Sequence, residues 1–293
     1  MRVFERYHPI VLFSYFAIIV LMTMFFMHPV YLTITLIGAI SLSMVLNGRQ
    51  FIKSLKMYIP VFILTMIVNP LISHNGEIVL LYINDNRITL EAILYGLAMA
   101  TMLVAVMLWC SCYNSVMTSD KFLYLFSRIS PVFSLVISIT MRLIPRFTHQ
   151  LKLIAQSQKT IGMDYTVGSL WHRIRCIMQI LSILITWALE NAIETADSMK
   201  ARGYGLQQRT TFSLFVFEKR DGILLAIIIV LFVASGAGSL LGATRFYFYP
   251  TLTGISWTLQ PIVFYSIYAI LVAIPTVIEL VEGLKWRYLK SMI

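Results

Sequence analysis

Residues 222–244, GILLAIIIVLFVASGAGSLLGAT, form a run of 23 residues without Asp, Glu, Lys or Arg. About 20 consecutive apolar residues are enough for a helix to cross the hydrocarbon core of a membrane. The rest of the chain has the same character, because 59% of its 293 residues are hydrophobic and only 12% are charged. Such a composition leaves too little polar surface for a water-soluble domain. It excludes a soluble enzyme and a disordered protein, and it predicts several membrane spans.

Other long runs without charged residues predict five further spans. Residues 7–48 hold two helices separated at His28-Pro29, and residues 57–76, 92–119 and 246–278 hold one each. Two shorter runs, 129–141 and 176–189, are interpreted as core, re-entrant or interfacial helices that do not cross. The predicted fold class is therefore an all-α integral membrane protein with about six transmembrane helices.

The distribution of basic residues predicts the orientation of these spans. With both termini inside, the inner segments hold 21 Lys and Arg residues, and the outer ones hold only Arg87 and Arg245. Without the 11 basic residues between 142 and 220, the inner count is still 10. This asymmetry predicts an N-in, C-in topology. The spans themselves are nearly free of charge, which argues against a charged proton relay and against a charged channel ring.

A basic insert, residues 142–220, lies between the fourth and fifth predicted spans. Apolar residues at helical spacing predict one amphipathic helix that starts or kinks at Pro145 and ends near Gly162. A second helix is predicted from about Leu189 to Arg202, capped by Gly203 or Gly205. The predicted apolar faces consist of Phe147, Leu151, Ile154 and Ile161 in the first helix, and of Leu189, Ala192, Ile193, Ala196 and Met199 in the second. Glu190, Glu194 and Asp197 lie opposite the second face.

Three stretches of this region match a known family: MRLIPR at 141–146, IAQSQKTIG at 154–162 and ADSMKARGYG at 196–205. They resemble the transmembrane T component of energy-coupling factor (ECF) transporters, which are ABC-type importers. That family carries two short motifs, each with an Arg between small residues, at the ends of two cytoplasmic coupling helices. Ala201-Arg202-Gly203 is similar to the second motif, and Gln158-Lys159-Thr160 to the first, with Lys in place of Arg. NPLISHNG at 69–76 is similar to a further family stretch after the third span.

The resemblance implies a non-catalytic subunit of a bacterial or archaeal cytoplasmic membrane that imports a vitamin or a transition metal such as cobalt or nickel. Its implied partners are two ABC ATPase subunits, which bind ATP and Mg²⁺, and a small membrane S component, which binds the substrate. No cofactor of its own and no nucleic-acid partner are implied. The implied organisation is 1–128 for N-terminal transmembrane helices, 129–221 for a short membrane or interfacial helix with the coupling helices, and 222–293 for C-terminal transmembrane helices.

The chemistry of arginine explains why such a motif suits a contact with a partner chain. A guanidinium pairs bidentately with carboxylates and reaches helix C-terminal carbonyls, and small neighbours such as Ala201 and Gly203 let a partner backbone approach. Lys159 keeps the positive charge but has no planar fork, so its contact should be weaker or differently shaped.

Other residues give weaker signals. Gly238 and Gly242 form a GxxxG pattern, which predicts close helix packing within the chain. His28 and His74 fall on the outer side without carboxylate neighbours, so no metal site is predicted. Cys110, Cys112 and Cys176 form no CxxC pair, which argues against a disulfide framework and a zinc site.

Two alternative functions stay open at the level of sequence. A membrane-embedded lipid or prenyl transferase would place acidic clusters or His near the interface to hold metal and diphosphate, and the chain has no D-x-x-x-D pattern. An ordinary ABC permease would transport without an S component. No G-x-x-x-x-G-K-[ST] motif occurs, so any ATPase must be a separate chain.

Overall fold

The computed structural model describes residues 4–73, 75–83, 86–129, 131–205, 215–255 and 258–291. These residues are almost entirely helical, apart from a hairpin of strands β1 (Val79–Ile83) and β2 (Asn86–Thr89). The helices are α1 (Pro9–Phe25), α2 (Pro29–Asn47), α3 (Arg49–Ile72), α4 (Leu90–Val116), α5 (Ser119–Ile129), α6 (Pro131–Thr160), α7 (Leu170–Ala201), α8 (Lys219–Leu240) and α9 (Leu259–Ser291). A 3₁₀ turn at Phe4–Arg6 precedes α1.

Six helices among the described residues are long and apolar enough to cross a membrane: α2, α3, α4, α7, α8 and α9. The predicted fold class, an all-α multi-pass membrane protein, is confirmed, and five of the six predicted spans are in this set of candidate helices. The predicted first span, α1, has 17 residues and lies at the lower limit for crossing. Helix α7, predicted as too short to cross, has 32 residues. The N-in, C-in orientation stays a prediction.

Two predicted helix boundaries are wrong. The run 129–141 and the amphipathic segment after it form one helix, α6, with Pro145 inside it, so the predicted helix start at Pro145 is wrong and the predicted kink stays a prediction. The run 176–189 and the segment from Leu189 likewise form one helix, α7. Charged residues interrupt an apolar run without interrupting a helix, because Arg, Lys and Glu are good helix formers.

The chain divides into two compact units, one of residues 1–122 with 215–293 and the other of residues 123–214. In the first unit, α4 packs against α1, α2 and α3, and α9 packs against α2 and α8. Trp109 of α4 is fully buried, with its ring centroid 6.1 Å from those of Tyr15 and Phe16 in α1. The Tyr15 hydroxyl donates to the carbonyl of Leu271 (3.3 Å), which ties α1 to α9.

Histidine-proline pairs start the first two helices. His8 and His28 are the N-caps of α1 and α2, and each Nδ1 accepts the backbone N–H two residues later (3.3 and 3.2 Å). Pro9 and Pro29 stand at the first helical position, where the missing N–H costs nothing. The Nε2 of His28 lies 3.0 Å from the Tyr265 hydroxyl, so both of its ring nitrogens are engaged. His74 lies outside the described residues.

Gly76, at the end of the stretch 69–76, lies against the buried side chain of Glu91. Glu91 is 1% exposed and accepts the backbone N–H of Ile78 through both oxygens (3.2 and 3.3 Å). Gly76 has φ 126°, and a Cβ there would lie 2.6 Å from Oε2 of Glu91. Only glycine fits at this position, both for its backbone conformation and for the approach of the carboxylate.

Gly238 and Gly242 of the GxxxG pattern have different structural roles. Gly238 lies in α8 against α9, where a Cβ would meet Cγ of Phe264 at 2.5 Å. Gly242 lies beyond the last residue of α8 with φ 81°, and its N–H donates to the carbonyl of Ser239 (3.1 Å). The prediction that Gly242 shares a packing face with Gly238 is therefore wrong, because Gly242 is the left-handed residue that ends the helix.

Candidate functional site

The α7 end, residues 199–204, is closed by a Schellman motif. Ala201 is the last helical residue, Arg202 is the C-cap and Gly203 has φ 79°. The N–H of Gly203 donates to the carbonyl of Lys200 (2.9 Å), and that of Tyr204 donates to the carbonyl of Met199 (3.0 Å). The prediction of a glycine cap is confirmed at Gly203. The motif fixes the backbone that carries Arg202.

Arg202 is exposed at this helix end. Its guanidinium forms no salt bridge with any residue that the structure describes. The two residues beside it, Ala201 and Gly203, carry no large side chain, so the approach to the guanidinium is open. An arginine placed in this way has its full hydrogen-bonding fork available to a partner chain.

The α6 end, residues 158–163, has the same cap. Thr160 is the last helical residue and Gly162 has φ 85°. The N–H of Gly162 donates to the carbonyl of Lys159 (3.1 Å), and that of Met163 donates to the carbonyl of Gln158 (3.0 Å). The prediction that Gly162 ends this helix is confirmed.

Aligned by their caps, the two ends place their basic residues differently. Arg202 is the C-cap of α7, whereas the C-cap position of α6 is taken by Ile161, whose side chain is 74% exposed. Lys159 stands two residues earlier, in the position that Lys200 takes in α7. Residue type alone gives no information about this offset.

Lys159 is already held within the chain. Its Nζ lies 3.1 Å from Oδ2 of Asp164 in the α6–α7 connection. Oδ1 of Asp164 accepts from the hydroxyl (2.7 Å) and the backbone N–H (2.9 Å) of Thr166. These two hydrogen bonds, with a smaller contribution from Lys159, lower the pKa of Asp164 to about 2. Asp164 is therefore ionised at physiological pH and presents a negative charge to Lys159. The sequence analysis missed this pair, although an Asp-x-Thr following a helix is a turn signal.

The connection between the two helices, residues 161–169, is also fixed at its far end. Ser169 is the N-cap of α7, and its hydroxyl accepts the N–H of His172 (3.4 Å). Nε of Arg173 donates to the carbonyl of Tyr165 (2.9 Å). The α6 end and the start of α7 thus belong to one hydrogen-bonded assembly rather than to a loose loop.

Helices α6 and α7 pack through only part of the faces that the sequence predicts. Phe147 contacts Trp187 with ring centroids 5.6 Å apart, and Ile154 is buried. Leu189 and Ile193, predicted as members of the apolar face of α7, are 63% and 65% exposed. The residues of α7 that line a cavity of about 190 Å³ on the α6 side are Ala188, Asn191, Ala192, Thr195, Ala196 and Met199. The predicted apolar face of α7 is therefore too wide, because it includes Leu189 and Ile193. These two side chains remain on the outside of α7.

A polar notch borders this packing. Nη1 of Arg146 donates to Oδ1 of Asn191 (3.2 Å), and the space of about 250 Å³ around them is also lined by Glu190 and Glu194. The notch gives α7 an acidic edge, on the predicted polar side of the helix. The ATPase-contact role predicted for residues 158–160 and 201–203 stays a prediction.

Comparison with known proteins places these features in context. A family profile described as cobalt transport protein, CbiQ, matches residues 3–212. The energy-coupling factor transporter transmembrane protein EcfT of Limosilactobacillus fermentum is 32% identical over 101 residues, which cover 34% of this chain and 38% of that protein. EcfT of Bacillus subtilis is 33% identical over 99 residues, covering 33% of this chain and 37% of that protein. The matches thus span about two fifths of the length of these relatives.

Proposed function

The chain belongs to the CbiQ/EcfT family of energy-coupling factor transporter T components, and on this premise we propose that it couples ATP hydrolysis by separate ATPase subunits to substrate uptake. In this proposal two ABC ATPase subunits dock on the cytoplasmic ends of α6 and α7. The coupling helices pass the closing motion of the ATPases to a small membrane S component, which binds a vitamin or a transition metal ion.

The observation that supports this proposal best is the pair of capped helix ends. Two helices that pack along their length end in the same Schellman motif, and each carries a basic residue within two positions of its cap. A pair of similar ends fits a pair of similar partner chains, such as the two ATPases of an ABC transporter. The exposed guanidinium of Arg202 offers a bidentate contact to a carboxylate or to helix C-terminal carbonyls in a partner groove.

A mild-detergent purification of the tagged chain from its native membranes tests this proposal. We expect two ABC ATPases and a small hydrophobic protein to co-purify, since a T component acts only in a complex. Mass spectrometry identifies the retained chains, and the small protein indicates the substrate class. If the chain is recovered alone with and without crosslinking, the coupling function is rejected in favour of a self-contained membrane enzyme.

The two basic residues should contribute unequally to coupling. We expect Lys159→Glu to reduce ATP-dependent uptake by a smaller factor than Arg202→Glu, because Lys159 already pairs with Asp164 whereas Arg202 forms no salt bridge with a described residue. Uptake by both variants, normalised to the amount of protein in the membrane, measures the difference. Asp164→Asn is the matched control, because it releases Lys159 and keeps its charge. Equal losses in the two Glu variants would contradict the assigned order.

A further inference from the structure

Cys176, in the second turn of α7, lies between two soft donor atoms. The cysteine is only 1% exposed, and its Sγ is 3.5 Å from Nε2 of His172 and 3.9 Å from Sδ of Met163. His172 and Cys176 are four residues apart and therefore share one face of the helix. Met163 follows Gly162 in the α6 cap, where its N–H is bonded to the carbonyl of Gln158. One donor from α7 and one from the α6 cap thus lie within 4 Å of Sγ of Cys176.

A neutral Cys176 thiol cannot donate a hydrogen bond to both of its neighbours. Cysteine has one S–H hydrogen, so it can donate either to the imidazole or to the thioether, but not to both. A thiolate, an imidazole and a thioether are also the ligands that soft metal ions prefer. A metal ion bound among the three would satisfy all of them at once.

The distances fit such an ion. Metal–sulfur bonds of about 2.3 Å and metal–nitrogen bonds of about 2.0 Å, at angles between tetrahedral and trigonal, separate sulfur and nitrogen by about 3.5–3.7 Å and two sulfurs by about 3.8–4.0 Å. The observed 3.5 and 3.9 Å lie within these intervals. From this geometry we propose that Met163, His172 and Cys176 form a three-ligand binding site for Cu(I).

Charge and ligand number favour Cu(I) over a divalent ion. Cu(I) with the Cys176 thiolate, whose proton is released to solvent, is neutral, whereas a divalent ion would add a net positive charge to a segment that already carries Arg173 and Arg175. Structural Zn²⁺ sites use four ligands from Cys, His and carboxylates, and no group of three such residues occurs among the described residues. A methionine ligand instead is typical of Cu(I).

His172 connects the proposed site to the protein surface, and the site lies between the α6 end and α7. His172 also lines an open surface cavity of about 590 Å³ with Trp171, Ile174 and Arg175, which provides an entry route. A bound ion would link Met163 at the α6 end to the second turn of α7, next to the Lys159–Asp164 pair. The position of the α6 end relative to the start of α7 would then depend on whether the metal ion is bound.

Competition for Cu(I) tests the site directly. The full-length protein in detergent is titrated, under reducing anaerobic conditions, into a chromogenic Cu(I)–chelator complex. We expect the protein to withdraw one Cu(I) per chain. Met163→Leu keeps the side-chain volume and removes the thioether, and it should weaken binding at least about tenfold, as altered metal surroundings do. Cys176→Ser should weaken binding by more, because it removes the anionic ligand.

Two control variants test whether Cu(I) binding depends specifically on Met163 and Cys176. Met178→Leu changes an exposed methionine of the same helix, and Cys110→Ser changes an exposed cysteine in α4. Both should bind Cu(I) like the unaltered protein. The proposal is overturned if the unaltered protein fails to compete, if Met163→Leu and Met178→Leu bind equally, or if Zn²⁺ or Co²⁺ displaces Cu(I) at equal concentration.

Discussion

Replacing Arg202 with glutamate should reduce ATP-dependent uptake to the level measured without the ATPase subunits. The residue is the exposed C-cap of α7, and its position is fixed by two hydrogen bonds across Gly203. Disrupting one partner of a charge pair buried in an interface costs about 2–5 kcal/mol, which is about 30-fold or more in affinity. A reversed charge adds repulsion to that loss.

Two measurements separate docking from folding. The amount of ATPase that co-purifies with Arg202→Glu should fall to background, while the variant's own level in the membrane stays unchanged. Arg202→Lys should retain part of the docking, because it keeps the charge and loses the fork. Lys219→Glu, an exposed residue at the start of α8, makes the same change in net charge and should transport normally. Normal uptake by Arg202→Glu would remove Arg202 from the proposed contact.

Gly238→Leu should destabilise the pairing of α8 with α9. A Cβ at this position would lie 2.5 Å from Cγ of Phe264, which is closer than side-chain carbons pack, so the ring or the helix must shift. Inserting side-chain atoms into a well-packed contact typically costs about 1–3 kcal/mol. The midpoint of thermal unfolding in detergent should therefore fall by several degrees.

Gly236 provides the matched control for that prediction. It lies two residues earlier in α8, and a Cβ there meets no atom within 4 Å. Gly236→Leu should leave the unfolding midpoint unchanged or raise it, because glycine is a poorer helix former than leucine by up to about 1 kcal/mol. If both leucine variants unfold at the same temperature, close packing at Gly238 does not stabilise this pair of helices.

Apolar content predicts the fold class of this chain because the membrane imposes it. Runs without charge locate α4 and α8 within four residues, whereas α3 begins eight residues before its run and α9 begins and ends 13 residues after its run does. The same criterion fails for α7, since Arg175 and Glu190 bound its 14-residue apolar segment while the helix continues past both. A charged residue indicates where a segment contacts water. The end of a helix is instead set by where its terminal backbone groups are capped.

The candidate site was predicted in its residues but not in its geometry. Glycine marks both helix ends, so the caps at Gly162 and Gly203 follow from the sequence. The offset between Lys159 and Arg202 does not, because it depends on which residue the cap hydrogen bonds select. The Lys159–Asp164 pair and the approach of Met163 to Cys176 depend on how the connection folds back, which no periodicity encodes.

Under the proposed function, the two Schellman caps have a mechanical consequence. An uncapped helix terminus frays, and a push against it is absorbed by unwinding of the last turn. At Gly162 and Gly203 the last carbonyls are bonded, so a load applied at either tip travels along the rod instead of being lost in local compliance. Two long helices with stiff ends can transmit a displacement of a few ångströms from one end to the other without loss.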